Sequence, residues 1–124
     1  NKMATLSTTI KLVSTTVSST ESLNLTTTDD LSVTHPMSNL NRKSIATGSA
    51  QTIIASNSAF SYIYIKVDEG TNATDWVQIK LGGHALIRLN VGESFFLPIY
   101  NGVLVEGESQ GGACKVEYGY WTRA

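Results

Sequence analysis

Between Phe60 and Ile99 the chain alternates apolar and polar residues with a period of two, in four successive stretches separated by turn residues. A β-strand turns that alternation into two distinct faces, because its successive side chains point to opposite sides. In Ser61–Val67, Ile63, Ile65 and Val67 alternate with Tyr62, Tyr64 and Lys66. Asp68–Thr74 follows as a loop rich in Gly, Asn and Asp, which favour turn backbones. A second strand is predicted over Trp76–Leu81, with Val77, Ile79 and Leu81 inward. Gly82-Gly83 is a two-residue turn of the hairpin type. A third strand, His84–Val91, turns Ala85, Ile87, Leu89 and Val91 inward. Gly92-Glu93 leads into Ser94–Leu97, which Pro98 ends or confines to a sheet edge. The expected core set is Ile63, Ile65, Val77, Ile79, Ile87 and Leu89.

The flanking segments carry the same signal in a different composition. Residues 1–34 contain ten Thr and six Ser, a bias that can mark a linker. Apolar residues keep period two through it, at Ile10 and Leu12, Leu23 and Leu25, and Leu31 and Val33. Threonine is β-branched and suits a half-exposed pleated surface, so two strands are expected, with Ser18–Glu21 as the turn between them. The first eight residues read as a loose or partner-binding arm. His35–Asn41 is a loop, biased away from helix by Pro36. Arg42–Ala55 resumes strand character, interrupted near Gly48-Ser49. Asn101-Gly102 is a hairpin signal, Val103–Glu106 a short strand, Gly107–Gly112 a loop, and Ala113–Thr122 the last strand. No segment sustains a 3.6-residue period. About eight short strands at this spacing predict one all-β domain over residues 1–124. The expected architecture is an antiparallel two-sheet β-sandwich, jelly-roll-like in topology.

Composition narrows the function classes. A net charge of −1 gives no electrostatic pull toward nucleic acid or an anionic membrane. No apolar run approaches the ~20 residues of a membrane-spanning helix. Charged residues are 15% of the chain, against ~25% in ordinary soluble domains, and a weakly charged surface favours association.

Candidate chemistry is sparse. Gly107-Glu108-Ser109-Gln110-Gly111 matches G-x-S-x-G, but a nucleophile elbow needs a following helix and a later histidine. Residues 112–124 read as strand and contain no histidine, so Ser109 is expected to have no catalytic role and no enzyme is indicated. Cys114 is the single cysteine and reads as a small buried hydrophobe. With His35 and His84 it lacks the spacing of a zinc site, and no metal or other cofactor is expected. Asp68, Glu69, Asn72 and Asp75 crowd one loop without the spacing of a calcium loop, and read as a solvated hairpin tip. Asn24-Leu25-Thr26 and Asn72-Ala73-Thr74 are glycosylation triplets of the kind that arise by chance in Ser/Thr-rich chains. Asp29-Asp30 and Arg42-Lys43 are too small as charge groups to imply a partner. Tyr62, Tyr64 and Trp76 remain as candidate interface or ligand aromatics, sharing the face opposite Ile63, Ile65 and Val67. Such aromatics anchor interfaces or stack on sugars, unless a second sheet or a neighbouring subunit covers them.

Trp76–Lys80, the run Leu89-Asn90-Val91-Gly92-Glu93-Ser94-Phe95-Phe96-Leu97-Pro98, the closing Val116-Glu117-Tyr118, the opening Met3-Ala4-Thr5-Leu6 and the Thr-rich first strand together resemble small all-β virion proteins of tailed bacteriophages. Capsid decoration (cement) proteins and neck or tail accessory proteins are the nearest group. The resemblance implies a jelly-roll-like fold, location on the virion, and self-association, often as a trimer. It also implies docking on other virion proteins, the major capsid protein foremost. It carries no catalytic residue. The other class left open is a carbohydrate-binding sandwich, a lectin or adhesin head, with the exposed aromatics stacking on sugar.

Overall fold

The computed structural model describes residues 3–14, 24–34, 40–56, 60–100 and 102–124. Among the described residues there are ten strands and no helix. One antiparallel sheet contains β1 (Met3–Val13), β2 (Asn24–Thr34), β3 (Asn41–Ile45), β5 (Tyr62–Gly70), β8 (Ser94–Pro98) and β10 (Cys114–Arg123). Its order is β1-β2-β10-β5-β8, with β3 also paired to β10. β3 runs beside Cys114–Tyr118, and β2 reaches β10 only at Thr122 and Arg123. The second sheet contains β4 (Gln51–Ile54), β6 (Trp76–Leu81), β7 (His84–Asn90) and β9 (Val105–Gln110), in the order β4-β9-β6-β7.

The two sheets form a β-sandwich because each carries one apolar face that must leave water. Ile45, Ile63, Ile65, Val67, Cys114 and Val116 of the larger sheet share a core with Ile53, Ile54, Val77, Ile79, Leu89 and Val105 of the smaller. Burying each such aliphatic side chain is worth roughly 1.5–3 kcal/mol, so this cluster supplies the main driving force. Five of the six expected core residues are buried outright; Ile87 is half-buried and packs on the same cluster. The expected turns also form. Gly82 and Gly83 both have positive φ, 61° and 85°, as a type I′ hairpin requires. Gly92 (φ 93°) closes a turn in which the Glu93 N–H donates to the Asn90 carbonyl at 2.9 Å.

Five expectations need correction. The Arg42–Ala55 stretch is two strands in different sheets, β3 and β4, because the chain crosses between layers at residues 46–50, with Gly48 at φ 92°. The Gly107–Gly112 segment is not a loop: residues through Gln110 belong to β9. Gly107 replaces a larger core side chain because a Cβ there would sit 2.9 Å from Ile53 Cδ1. Ala85 is exposed rather than inward, since the β6–β7 register shifts between Ile79 and Lys80. Finally, Asp68, Glu69 and Gly70 extend β5 instead of opening a loop, and β8 and β9 lie in different sheets, so no hairpin joins them. The expected turn at Ser18–Glu21, Leu23 and most of the His35–Asn41 loop lie outside the described residues.

Candidate functional site: the β1–β2 ribbon

The least conventional part of the molecule is the β1–β2 hairpin. Met3–Val13 pairs with Asn24–Thr34 through eleven consecutive residue pairs without a register shift. Threonine-rich sequence favours this, because β-branched side chains are already restricted to rotamers that fit a pleated surface. The residues first read as a loose arm are therefore in regular strand from Met3 onward.

Directly opposed residues of an antiparallel pair share a face. One ribbon face carries Ser7, Thr9, Lys11, Thr26, Thr28 and Asp30. Ser7 Oγ donates to Asp30 Oδ1 at 2.6 Å, and the Thr9 and Thr28 hydroxyls lie 3.2 Å apart. The other face carries Ala4 opposite Val33, Leu6 opposite Leu31, Thr8 opposite Asp29, Ile10 opposite Thr27 and Leu12 opposite Leu25. At its base this apolar face is covered: Val33 is buried with Tyr62 and Trp121, and Ala4, Leu6 and Leu31 pack against that cluster with Tyr64 and Phe96. Farther out the same face is bare. Ile10, Leu12 and Leu25 are 52%, 47% and 44% exposed. The aliphatics of this face are thus buried at its base and exposed at Ile10, Leu12 and Leu25, with Thr8, Asp29 and Thr27 between them.

The three candidate aromatics do not share a face. Tyr62 and Tyr64 lie on β5 of the larger sheet and Trp76 on β6 of the smaller. Tyr62 stacks on Phe96 with ring centroids 5.8 Å apart and an interplanar angle of 15°. The Arg123 guanidinium lies 5.0 Å from its ring centre, and Arg123 Nε donates to the Tyr62 hydroxyl at 3.1 Å. Tyr64 is half-buried, and burial raises its phenol pKa above the ordinary value, with the nearby carboxylates of Glu117 and Asp68 adding to the effect. Trp76 lines a shallow depression with Gln78, Leu86 and Arg88. The Arg88 guanidinium sits 4.1 Å over its ring, occupying the indole face that a sugar would stack on.

The remaining candidates have structural roles. Ser109 is buried in β9, where its hydroxyl donates to the Gly112 carbonyl and lies 3.1 Å from the buried Cys114 Sγ. Its own N–H donates to the Ala46 carbonyl at 3.1 Å, which ties the sheet crossover to β9. The four residues of the acidic loop do not converge. Asp68 pairs with Arg42, Glu69 with Lys115 at 3.2 Å, and the buried Asp75 accepts the Asn72 N–H at 2.7 Å. Among the described residues no group of three or more His, Cys, Asp or Glu side chains could hold a metal ion. His84 is exposed at the β6–β7 turn, and His35 lies outside the described residues. No protein-family model, curated protein or solved structure matches the chain.

Proposed function

We propose that this chain is a non-enzymatic structural protein of a tailed-phage virion, a capsid decoration protein foremost, built on a jelly roll and working by contact with other proteins. The observation that carries the contact reading is the ribbon's bare apolar face, whose base is already part of a packed cluster. Two further features support it. Tyr62 and Trp76, which a lectin reading would use, have their faces occupied by Phe96 and Arg88. The antiparallel pairs β3·β10, β4·β9, β5·β8 and β6·β7 fold the chain back on itself as one long hairpin, wrapped into two four-strand layers. That pairing supports the jelly-roll reading, an architecture used by viral capsid and lectin domains alike. The placement on a virion rests on the resemblance of the strand and turn sequences.

Affinity for phage particles that lack the protein tests the reading. The unaltered chain is expected to bind such particles, and a chain carrying Leu12→Ser and Leu25→Ser to bind them at least tenfold more weakly. Binding to a glycan array instead, with no affinity for any particle, would favour the lectin class.

A further inference from the structure

We infer that β1 is a self-association edge: two copies of this chain join through antiparallel β1–β1 pairing about a two-fold axis, centred near Thr8. The inference deepens the contact reading above and rests on it.

Its first support is the state of the sheet edges. Open edges are normally kept short, bulged, charged or ended by proline, because an unpaired row of N–H and C=O groups recruits other strands. The other edges here follow that rule. β3 has five residues, two of them Arg42 and Lys43. β4 has four and a register shift against β9. β7 faces a register shift and carries Arg88. β8 has five residues and ends at Pro98. The free side of β2 carries Asp29 and Asp30. β1 departs from the rule in length and regularity: eleven residues, neither proline nor glycine, no register shift, and Lys11 as its one charge.

The second support is self-complementarity. A two-fold axis normal to a sheet passes through the middle of a residue pair and keeps each face on its own side. Any β1–β1 pairing of this kind therefore sets apolar face beside apolar face. Centred on Thr8, the midpoint of the strand, it places Leu6 opposite the second copy's Ile10 and Ala4 opposite its Leu12. The exposed outer aliphatics of each ribbon then continue the covered stripe that begins at the other copy's Tyr62 and Trp121 cluster. Thr8 meets its own counterpart, a favourable cross-strand pair. Lys11 falls opposite Thr5, so the two Lys11 side chains stand six positions apart, roughly 20 Å along the strand. Full pairing of eleven residues forms on the order of ten backbone hydrogen bonds, the number found in a typical stable interface.

The geometry also supplies the test. Thr8→Lys sets a lysine opposite Asp29 inside the ribbon, which suits the hairpin, but opposite its own copy at the axis. By sedimentation velocity the unaltered chain is expected to be dimeric, and Thr8→Lys monomeric at the same concentration with an unchanged circular dichroism spectrum. Thr8→Cys, treated with diamide, is expected to give a disulfide-linked dimer, because opposed Cβ atoms across an antiparallel pair come within bonding range. Thr5→Cys is expected to remain unlinked. A monomeric unaltered chain, or equal linking of the two cysteine variants, overturns the inference. If such a monomer still binds particles through the ribbon, the self-pairing is wrong and the contact function stands. If the Leu12→Ser, Leu25→Ser chain binds particles as well as the unaltered one, the contact function itself fails.

Discussion

Leu12 and Leu25 oppose each other at the outer end of the β1–β2 ribbon, on the face that buries Val33 at its base. The pair separates folding from association. Neither leucine takes part in either packed cluster of buried side chains. Removing both should therefore change thermal stability little, by under about 1 kcal/mol, as for exposed substitutions generally.

Ile79 is the contrasting case. It is fully buried between the sheets, and Ile79→Ala should cost about 2–5 kcal/mol through the cavity it leaves. Urea unfolding followed by fluorescence measures this, and a loss under about 0.5 kcal/mol would mean the core relaxes to fill the space.

Gly107→Ala should also destabilise, for the opposite reason. The added methyl would meet Ile53 Cδ1 at 2.9 Å and Val77 Cγ1 at 3.2 Å, both inside the core. Overpacking of this kind costs roughly 1–3 kcal/mol, and a thermal melt should report it as a lowered midpoint.

Ser109→Ala should leave any esterase background unchanged and lower stability by about 1–3 kcal/mol. The substitution leaves the Gly112 carbonyl without its hydroxyl donor beside the buried Cys114 thiol. Ester hydrolysis by the unaltered chain that Ser109→Ala abolishes would contradict the structural role.

These residues also mark where sequence reasoning worked. Strands β5 and β6 were legible because large aliphatics alternate cleanly, as in Ile63, Ile65 and Val67. Only the start of β9 was legible, in Val103–Glu106, because its inward positions are Val105, Gly107 and Ser109. Small residues are required there by the approach of Ile53 and the bonds to Gly112 and Cys114, and they resemble loop composition. The ribbon was half legible. Period two was visible in both halves, but only the register shows that Leu6 opposes Leu31 and Leu12 opposes Leu25, putting the aliphatics of both strands on one face. The aromatic trio failed because alternation assigns a face within a strand and cannot say which sheet the strand joins.

Tyr64 gives the chain a specific alkaline response. Its phenol pKa is raised in the folded state, by burial first and then by Glu117 and Asp68. The folded chain therefore holds that proton at a pH where the unfolded chain begins to lose it. The stability it contributes is complete below the ordinary tyrosine value of ~10 and is lost as pH rises through the folded value. Tyr64→Phe should flatten the fall in melting temperature above that pH. An identical fall in both proteins would contradict this.

The claim that the ribbon's bare face is an association surface is tested most directly by light scattering. The unaltered chain and the Leu12→Ser, Leu25→Ser chain are compared at one concentration. The expected result is a mass about twice the 13.4 kDa chain for the first and a single-chain mass for the second, with equal circular dichroism spectra. Two single-chain masses would contradict the self-pairing of β1, and two doubled masses would contradict a part for the bare face in it.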